Sequence, residues 1–275
     1  MAIDLAKYDA VLLDLDGTVY HEDHPLPGAV QLIRALQEAG RRFACLSNSA
    51  ASPLRVMDRL HLMGVDLEPD QIYTAAAAAC DYVLEQYARS GARPRVFNLA
   101  TESVQEMLQG IVEWVQTAGE PCDVVLAGAP SNVYATEQRQ RMALQLLRRG
   151  SGTALVGLSA DRVYPSPRGL EFGSGALCAM LSYAANIQPI FCGKPERIFF
   201  LELCGRLGAE PSRCILIGDN LESDVAGAKA LGMATVLTLS GVTRRRDLQN
   251  LPEGLKPELV VEDLSELIGA VGRSG

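Results

Sequence analysis

The chain has 275 residues, with 25 Lys plus Arg against 33 Asp plus Glu, and a formal net charge of −8. At about 150 residues per domain that length predicts two domains or one large α/β domain, and it suffices to build a core without staples. With 48% hydrophobic and 21% charged residues the composition excludes a disordered or fibrous chain, and the acid excess excludes a nucleic-acid backbone as the main partner. Tyr8-Asp9 leads into Ala10-Val11-Leu12-Leu13, a run suited to a strand buried on both faces. Pro27-Gly28 opens an amphipathic helix through Val30, Ile33 and Leu36, which Gly40 ends. Phe43-Ala44-Cys45-Leu46 predicts a second strand, and Ser52-Pro53 caps a helix that stops at Gly64. This β-α-β-α order argues for a parallel sheet with right-handed crossovers.

Residues 95–99, 122–127 and 153–158 predict strands, with helices near 101–108 and 137–147. The Ala75 to Ala79 run reads as a tight helix start. Further on, Ile190-Phe191-Cys192, Cys214-Ile215-Leu216-Ile217 and Ala234-Thr235-Val236-Leu237 predict strands of the same core, with helices at 197–207 and 225–231 closed by Gly208 and Gly232. The simplest parse inserts residues 85–187 into one α/β core formed by 1–84 and 188–275. The seven cysteines contain no C-x-x-C pair, which argues against a zinc knuckle and for reduced thiols in a cytoplasmic protein. Residues 172–193 carry no charge, but Gly173, Ser174, Ser182, Asn186, Gln188 and Pro189 interrupt them, so no membrane span is expected. The acidic Asp4 breaks any signal-peptide pattern at the start.

The first strand ends in Asp14-Leu15-Asp16-Gly17-Thr18 and a later one in Gly218-Asp219-Asn220-Leu221-Glu222-Ser223-Asp224. Either could be no more than a turn or a helix cap. Together they bring four carboxylates to the carboxyl edge of one sheet, where α/β folds bind ligands. Unpaired, such charges would oppose folding; a hard divalent cation with oxygen ligands resolves this, and Mg²⁺ characteristically uses a few carboxylates plus substrate phosphate. Leu46-Ser47-Asn48 adds a hydroxyl and backbone N–H groups suited to phosphoryl oxygens. Cys192-Gly193-Lys194-Pro195 adds a lysine that can offset both the aspartates and an incoming phosphate.

The order of these four pieces resembles the haloacid dehalogenase-like (HAD) phosphohydrolase superfamily, and the chain is similar to its NagD-like branch, whose members carry a large α/β cap. The branch likeness rests on Leu26-Pro27-Gly28-Ala29, Asp161 with Tyr164-Pro165, Gly173 with Gly175-Ala176, and Leu239-Ser240-Gly241-Val242-Thr243. The resemblance implies a Rossmann-like parallel-sheet core with residues 85–187 as the cap. It also implies Mg²⁺-dependent hydrolysis of small phosphomonoesters through an aspartyl-phosphate. In that reading Asp14 is the nucleophile and a metal ligand, and Asp16 is the general acid and base with its backbone carbonyl on the metal. Asp219 is the second carboxylate ligand, and Asp224 supports the metal waters or Lys194. Ser47, Asn48 and Lys194 bind the phosphoryl group.

The sequence departs from the branch at Ser49, at Asn98-Leu99-Ala100 and at Leu158-Ser159-Ala160-Asp161, all where the leaving group would be met. The substrate is therefore left open among phosphoglycolate, sugar phosphates, nucleoside monophosphates and pyridoxal phosphate. Two rivals remain, a phosphoryl-accepting signalling module and a halide-releasing hydrolase of the same fold. His21 and His24 read as part of a solvated flap, and Arg244-Arg245-Arg246 as a solvated loop. Arg162, Tyr164 and Arg168 are open candidates for substrate contact. The expected partner is a small phosphorylated metabolite, with no nucleic acid and no membrane; a homo-oligomer is left open.

Overall fold

The computed structural model describes residues 3–88, 92–149, 152–166 and 168–272. In chain order, β1 (Ala10–Asp14) is buried throughout, as a central strand covered on both faces must be. A small antiparallel hairpin follows, β2 (Tyr20–His21) and β3 (His24–Pro25). Helix α1 (Ala29–Glu38) turns Ala29, Leu32, Ile33 and Leu36 inward at helical spacing, and Gly40 beyond it takes the left-handed conformation that ends it. Next come β4 (Phe43–Ser47), α2 (Pro53–Leu62) and β5 (Ile72–Thr74). Thr74 then caps α3 (Ala75–Tyr87) by accepting the Ala77 N–H.

The middle of the chain supplies β6 (Arg95–Leu99), α4 (Glu102–Leu108), β7 (Glu113–Trp114), β8 (Val124–Ala127), α5 (Glu137–Arg149) and β9 (Ala154–Gly157). An antiparallel hairpin, β10 (Val163–Ser166) and β11 (Gly169–Phe172), precedes α6 (Ser174–Ala185) and β12 (Ile190–Phe191). The last stretch adds α7 (Arg197–Arg206), β13 (Cys214–Gly218), α8 (Ala226–Lys229), β14 (Ala234–Thr238) and β15 (Leu259–Val261).

The chain divides into two compact units. Residues 1–47, 53–73 and 194–275 form one, and residues 48–52 and 74–193 the other; the sequence reading had set the junctions at 84/85 and 187/188. The main sheet of the first unit runs β15-β14-β13-β1-β4-β5, and the pairings that join β15, β14, β13, β1 and β4 to one another are parallel. Leu13 pairs with Ile217, and Asp14 with Leu46. This register sets the ends of β1, β4 and β13 side by side at the carboxyl edge, so Asp14, Ser47 and Asp219 leave the sheet at one level. Tyr73 stacks on Phe199 at 5.0 Å between centroids, and Phe199 meets Phe200 edge-on at 5.8 Å; these buried rings belong to the core of the unit.

The second unit has a parallel sheet ordered β12-β9-β8-β6-β7. Its core gathers Phe97, Leu99, Val125, Leu146, Leu155, Leu177 and Leu181. Here the structure corrects one expectation. Ile190–Phe191 pairs with Val156 and Gly157 of β9, so this strand belongs to the second sheet and not to the core that holds the aspartates. A two-residue, half-buried strand carries too little pattern to declare its sheet. The uncharged stretch at 172–193 becomes the end of β11, α6 and β12; among the described residues no helix is long and apolar enough to cross a membrane.

Candidate active site

Beyond β1 the chain makes a tight loop. The Leu15 carbonyl accepts the N–H groups of Thr18, Val19 and Tyr20, and Gly17 donates to the Tyr20 carbonyl at 2.8 Å. Gly17 has φ +84°, and a Cβ there would overlap the Asp219 carboxylate, so the D-x-D-G-T spacing is imposed by backbone shape and by proximity to the second aspartate pair. Asp14 is 3% exposed, and its Oδ2 accepts the buried Thr18 hydroxyl at 3.2 Å. Asp16, two residues past the strand, turns outward and is exposed.

Beyond β13, Asn220 opens a wide, π-type turn over Leu221–Val225. Its side chain accepts the N–H groups of Glu222 and Ser223, and its carbonyl accepts those of Asp224 and Val225. Such widened turns cluster at functional sites because they re-aim one side chain. Here the re-aimed group is Asp224, fully buried, whose Oδ2 accepts the Asn220 N–H at 3.1 Å. Asp219 is 2% exposed and accepts the Val242 N–H on Oδ2, while its carbonyl accepts the Thr243 N–H. The loop at 239–243, which the sequence reading gave no chemical role, thus fixes Asp219. Gly241 is its visible signal, since a Cβ there would overlap the Asp219 carboxylate.

Lys194 joins the two pairs. It is 4% exposed, and its Nζ donates to Asp14 Oδ1 and, at 2.7 Å, to Asp224 Oδ1. Asp14, Asp219 and Asp224 each offer a carboxylate oxygen within 4.8 Å of the others. Three carboxylates against one ammonium leave this buried cluster two negative charges in excess. Burial first, with neighbouring carboxylates adding to it, lifts Asp14 to about 7 and Asp219 and Asp224 to about 6, against the pull of Lys194. Burial alone would lower the Lys194 ammonium, but the Asp14 and Asp224 charges outweigh it and hold Lys194 above its ordinary range. Partial desolvation raises Asp16, opposed by the charges of His21, Arg59 and Lys194.

A divalent cation fits this donor set. Its charge equals the excess of two, all donors are oxygens, and oxygens around a Mg²⁺ ion at about 2.1 Å stand roughly 3–4 Å apart, a spacing the trio spans.

Ser47 ends β4 and is 6% exposed. Asn48, the next residue, belongs to the second unit, where its Nδ2 donates to Asp161 Oδ2 at 3.0 Å. Six of the seven residues singled out in the sequence therefore lie in the first unit, and the carboxylate cluster takes in three of them together with Lys194. Arg59 also escaped the sequence reading. Its guanidinium lies 4.8 Å over the Tyr20 ring and donates to the Glu22 carbonyl and to Asp23 Oδ1, pinning the hairpin that carries the exposed His21 and His24. Among the candidates left open, Tyr164 hydroxyl bonds Ser131 and Arg168 pairs with Glu171. Arg245 and Arg246 pair with Glu262 and Asp247 at the surface.

Sequence models of known families agree with this geometry. One described as Haloacid dehalogenase-like hydrolase matches residues 11–111, and a second, HAD-hydrolase-like, matches residues 191–267. The chain is 27% identical over 265 residues to a 5'-nucleotidase, YutF, of Bacillus subtilis, covering 96% of this chain and 99% of that protein. It is 29% identical over 265 residues to an acid sugar phosphatase of Staphylococcus aureus, covering 96% and 98%. Among solved structures, a glycerol phosphate phosphatase from Mycobacterium tuberculosis in complex with magnesium superposes with a TM-score of 0.84 at 26% identity, over 97% of this chain and 79% of the other. The chain belongs to the haloacid dehalogenase-like hydrolases. Within that family it is a phosphatase.

Proposed function

We propose that this phosphatase hydrolyses small phosphomonoesters with Mg²⁺ by forming and then cleaving an aspartyl-phosphate on Asp14. The observation that carries the reading is the buried trio Asp14, Asp219 and Asp224 around Lys194, two charges short of neutrality. Asp14, Asp219 and the backbone carbonyl of Asp16 would hold the ion, with Asp224 behind them. When bound, Mg²⁺ supplies charge neutralisation and polarises a phosphoryl oxygen.

The chain's own groups divide the remaining work. An Asp14 carboxylate oxygen attacks phosphorus, the ester P–O bond breaks, and Asp16 gives its proton to the departing oxygen. Asp16, now a carboxylate, takes a proton from water as that water attacks phosphorus. The Asp14–phosphorus bond then breaks and inorganic phosphate leaves. Exposure suits Asp16 to exchange protons with water and leaving groups, while burial suits Asp14 to attack without a tight hydration shell. Lys194 holds Asp14 in place and balances phosphoryl charge, and Ser47 and Asn48 bind phosphoryl oxygens.

The leaving group is a small metabolite, selected by the segment at 85–187 acting as a cap, and the enzyme works in the cytoplasm. The three relatives described above differ in the phosphate esters their names carry, which supports a shared phosphoryl site with a variable leaving-group site. The test is phosphate release from a panel of sugar phosphates, nucleoside monophosphates, phosphoglycolate, glycerol phosphate and pyridoxal phosphate, with Mg²⁺ and with chelator. Release of phosphate from at least one ester only with the metal is the expected result; full turnover in excess chelator, or none with any ester, would remove the proposal.

A further inference from the structure

We infer that Asp161 is a positioning residue that orients the Asn48 carboxamide for phosphoryl binding, an inference that rests on the role given to Asn48 above. Asp161 Oδ2 accepts two side-chain donors, Asn48 Nδ2 at 3.0 Å and the Ser159 hydroxyl at 2.8 Å. Ser159 is 2% exposed, so the second donor comes from inside the unit. The Asp161 backbone is itself fixed, because its carbonyl accepts the Gly175 N–H at 2.9 Å. Gly173 and Gly175 admit that carbonyl only because neither carries a Cβ, which would overlap the backbone of Ala160 and Asp161.

The amide of Asn48 has two ends, and the surroundings distinguish them. An ionised carboxylate accepts hydrogen bonds and cannot donate, so the nitrogen end belongs on Asp161 and a flipped amide would set oxygen against oxygen. Asn48 Oδ1 lies on the opposite side against the Gly193 backbone, where a Cβ would overlap it. The carboxamide is thus clamped in one orientation by a charge on one side and a glycine on the other. A negative charge beside a phosphoryl-binding residue is otherwise a liability, and charge-assisted bonds of this kind are about twice as strong as neutral ones. Loops after β4 and β9, far apart in sequence, meet in this one contact.

The experiment is a double-mutant cycle read by calorimetric binding of inorganic phosphate in the presence of Mg²⁺, with kcat/KM for two esters of different leaving group beside it. Asp161→Ala and Asn48→Ala should each weaken phosphate binding roughly 10–100-fold, the worth of a hydrogen bond to a charged group. The double variant should be no weaker than either single one. Asp161→Asn, which keeps an acceptor oxygen, should recover most of the affinity, and both esters should lose kcat/KM by the same factor. Where Asp161→Ala fails to fold, Asp161→Leu, which fills the space but offers no acceptor, takes its place: it should weaken phosphate binding in the parent and change nothing in the Asn48→Ala background. Losses that add, or phosphate affinity unchanged in a folded Asp161→Ala or Asp161→Leu variant while Asn48→Ala weakens it, would overturn the positioning role alone. Unchanged affinity in Asn48→Ala would remove the phosphoryl role of Asn48, and this inference with it.

Discussion

Replacing Asp219 by Asn should make the metal-free protein more stable at pH 8 while making it a worse metal binder. The lift of this carboxyl from its ordinary 3.8 to about 6 corresponds to about 3 kcal/mol of destabilisation when it is charged. The sign follows from proton binding. Between about pH 4 and pH 6 the folded chain keeps a proton that the unfolded chain has released, so stability falls as pH rises through that window and stays low above it; Asp14, at about 7, carries the decline further. Asparagine abolishes the charge but accepts the Val242 N–H more weakly, a loss of about 1 kcal/mol. The net gain at pH 8 is about 2 kcal/mol, or roughly 4–8 °C in Tm for a domain of this size. At pH 4.5 the charge penalty shrinks to about 1 kcal/mol and cancels the hydrogen-bond loss, so wild type and variant should melt together. Differential scanning fluorimetry in chelator at the two pH values, repeated with Mg²⁺, makes the comparison. Mg²⁺ at about 100 times its Kd should raise the wild type by about 2.7 kcal/mol and the variant by less, closing the gap. A variant that melts below wild type at pH 8 in chelator would refute the excess-charge account of the cluster.

Lys194→Met should cost about 3–5 kcal/mol, because it leaves Asp14 and Asp224 buried without their ammonium; chemical denaturation at pH 8 against pH 5 should show the cost easing in acid. Ca²⁺ should restore activity to the chelated enzyme poorly where Mg²⁺ restores it, since calcium takes more ligands at longer distances and would misplace Asp14; equal kcat with the two ions would contradict this. Asp16→Asn should slow alkyl phosphates by roughly 10²–10⁴, whereas a nitrophenyl ester should give a burst of about one equivalent followed by a slow phase. Rapid quench with mass analysis of the Asp14 peptide should find trapped phosphate, and equal slowing of both esters without a burst would exclude Asp16 as the acid and base.

The central strands and their chemistry were legible because each signal was local. Ala10 to Leu13 is apolar at every position, as only a strand covered on both faces needs to be, and Asp14 and Asp219 then follow directly from strand ends in a parallel register. The helix ends at Gly40, Gly64, Gly208 and Gly232 were legible for a similar reason, since all four glycines have positive φ. What escaped depends on partners distant in sequence. β12 has two residues and its sheet is decided by β9; β5 and β15 have three each and earn their places only as edge strands. Helix α6 carries no charge and has its buried residues on one side and Met180 and Tyr183 exposed on the other, so its polarity pattern is too weak to announce a helix. In the site, the Val242 N–H and the clamp of Asn48 by Asp161 escaped because a backbone donor and a loop-to-loop contact leave no residue pattern.

The charge of the cluster explains why this arrangement is kept despite its cost. A second buried lysine or a neutral residue at 219 or 224 would halve the excess charge and stabilise the metal-free fold. It would also remove the attraction that a divalent cation needs in order to shed part of its water shell, and a fixed ammonium would occupy volume that a phosphoryl group must enter. One lysine is enough to hold Asp14 and Asp224 at hydrogen-bond distance from a common atom, and too little to neutralise them. The site is therefore built two charges short, with the rest of the first unit supplying the rigidity that keeps three mutually repelling carboxylates together. Its strand ends are set by parallel register, Gly17 and Gly241 allow the chain to close on Asp219, and the buried aliphatic strands beneath supply the apolar burial that offsets the repulsion.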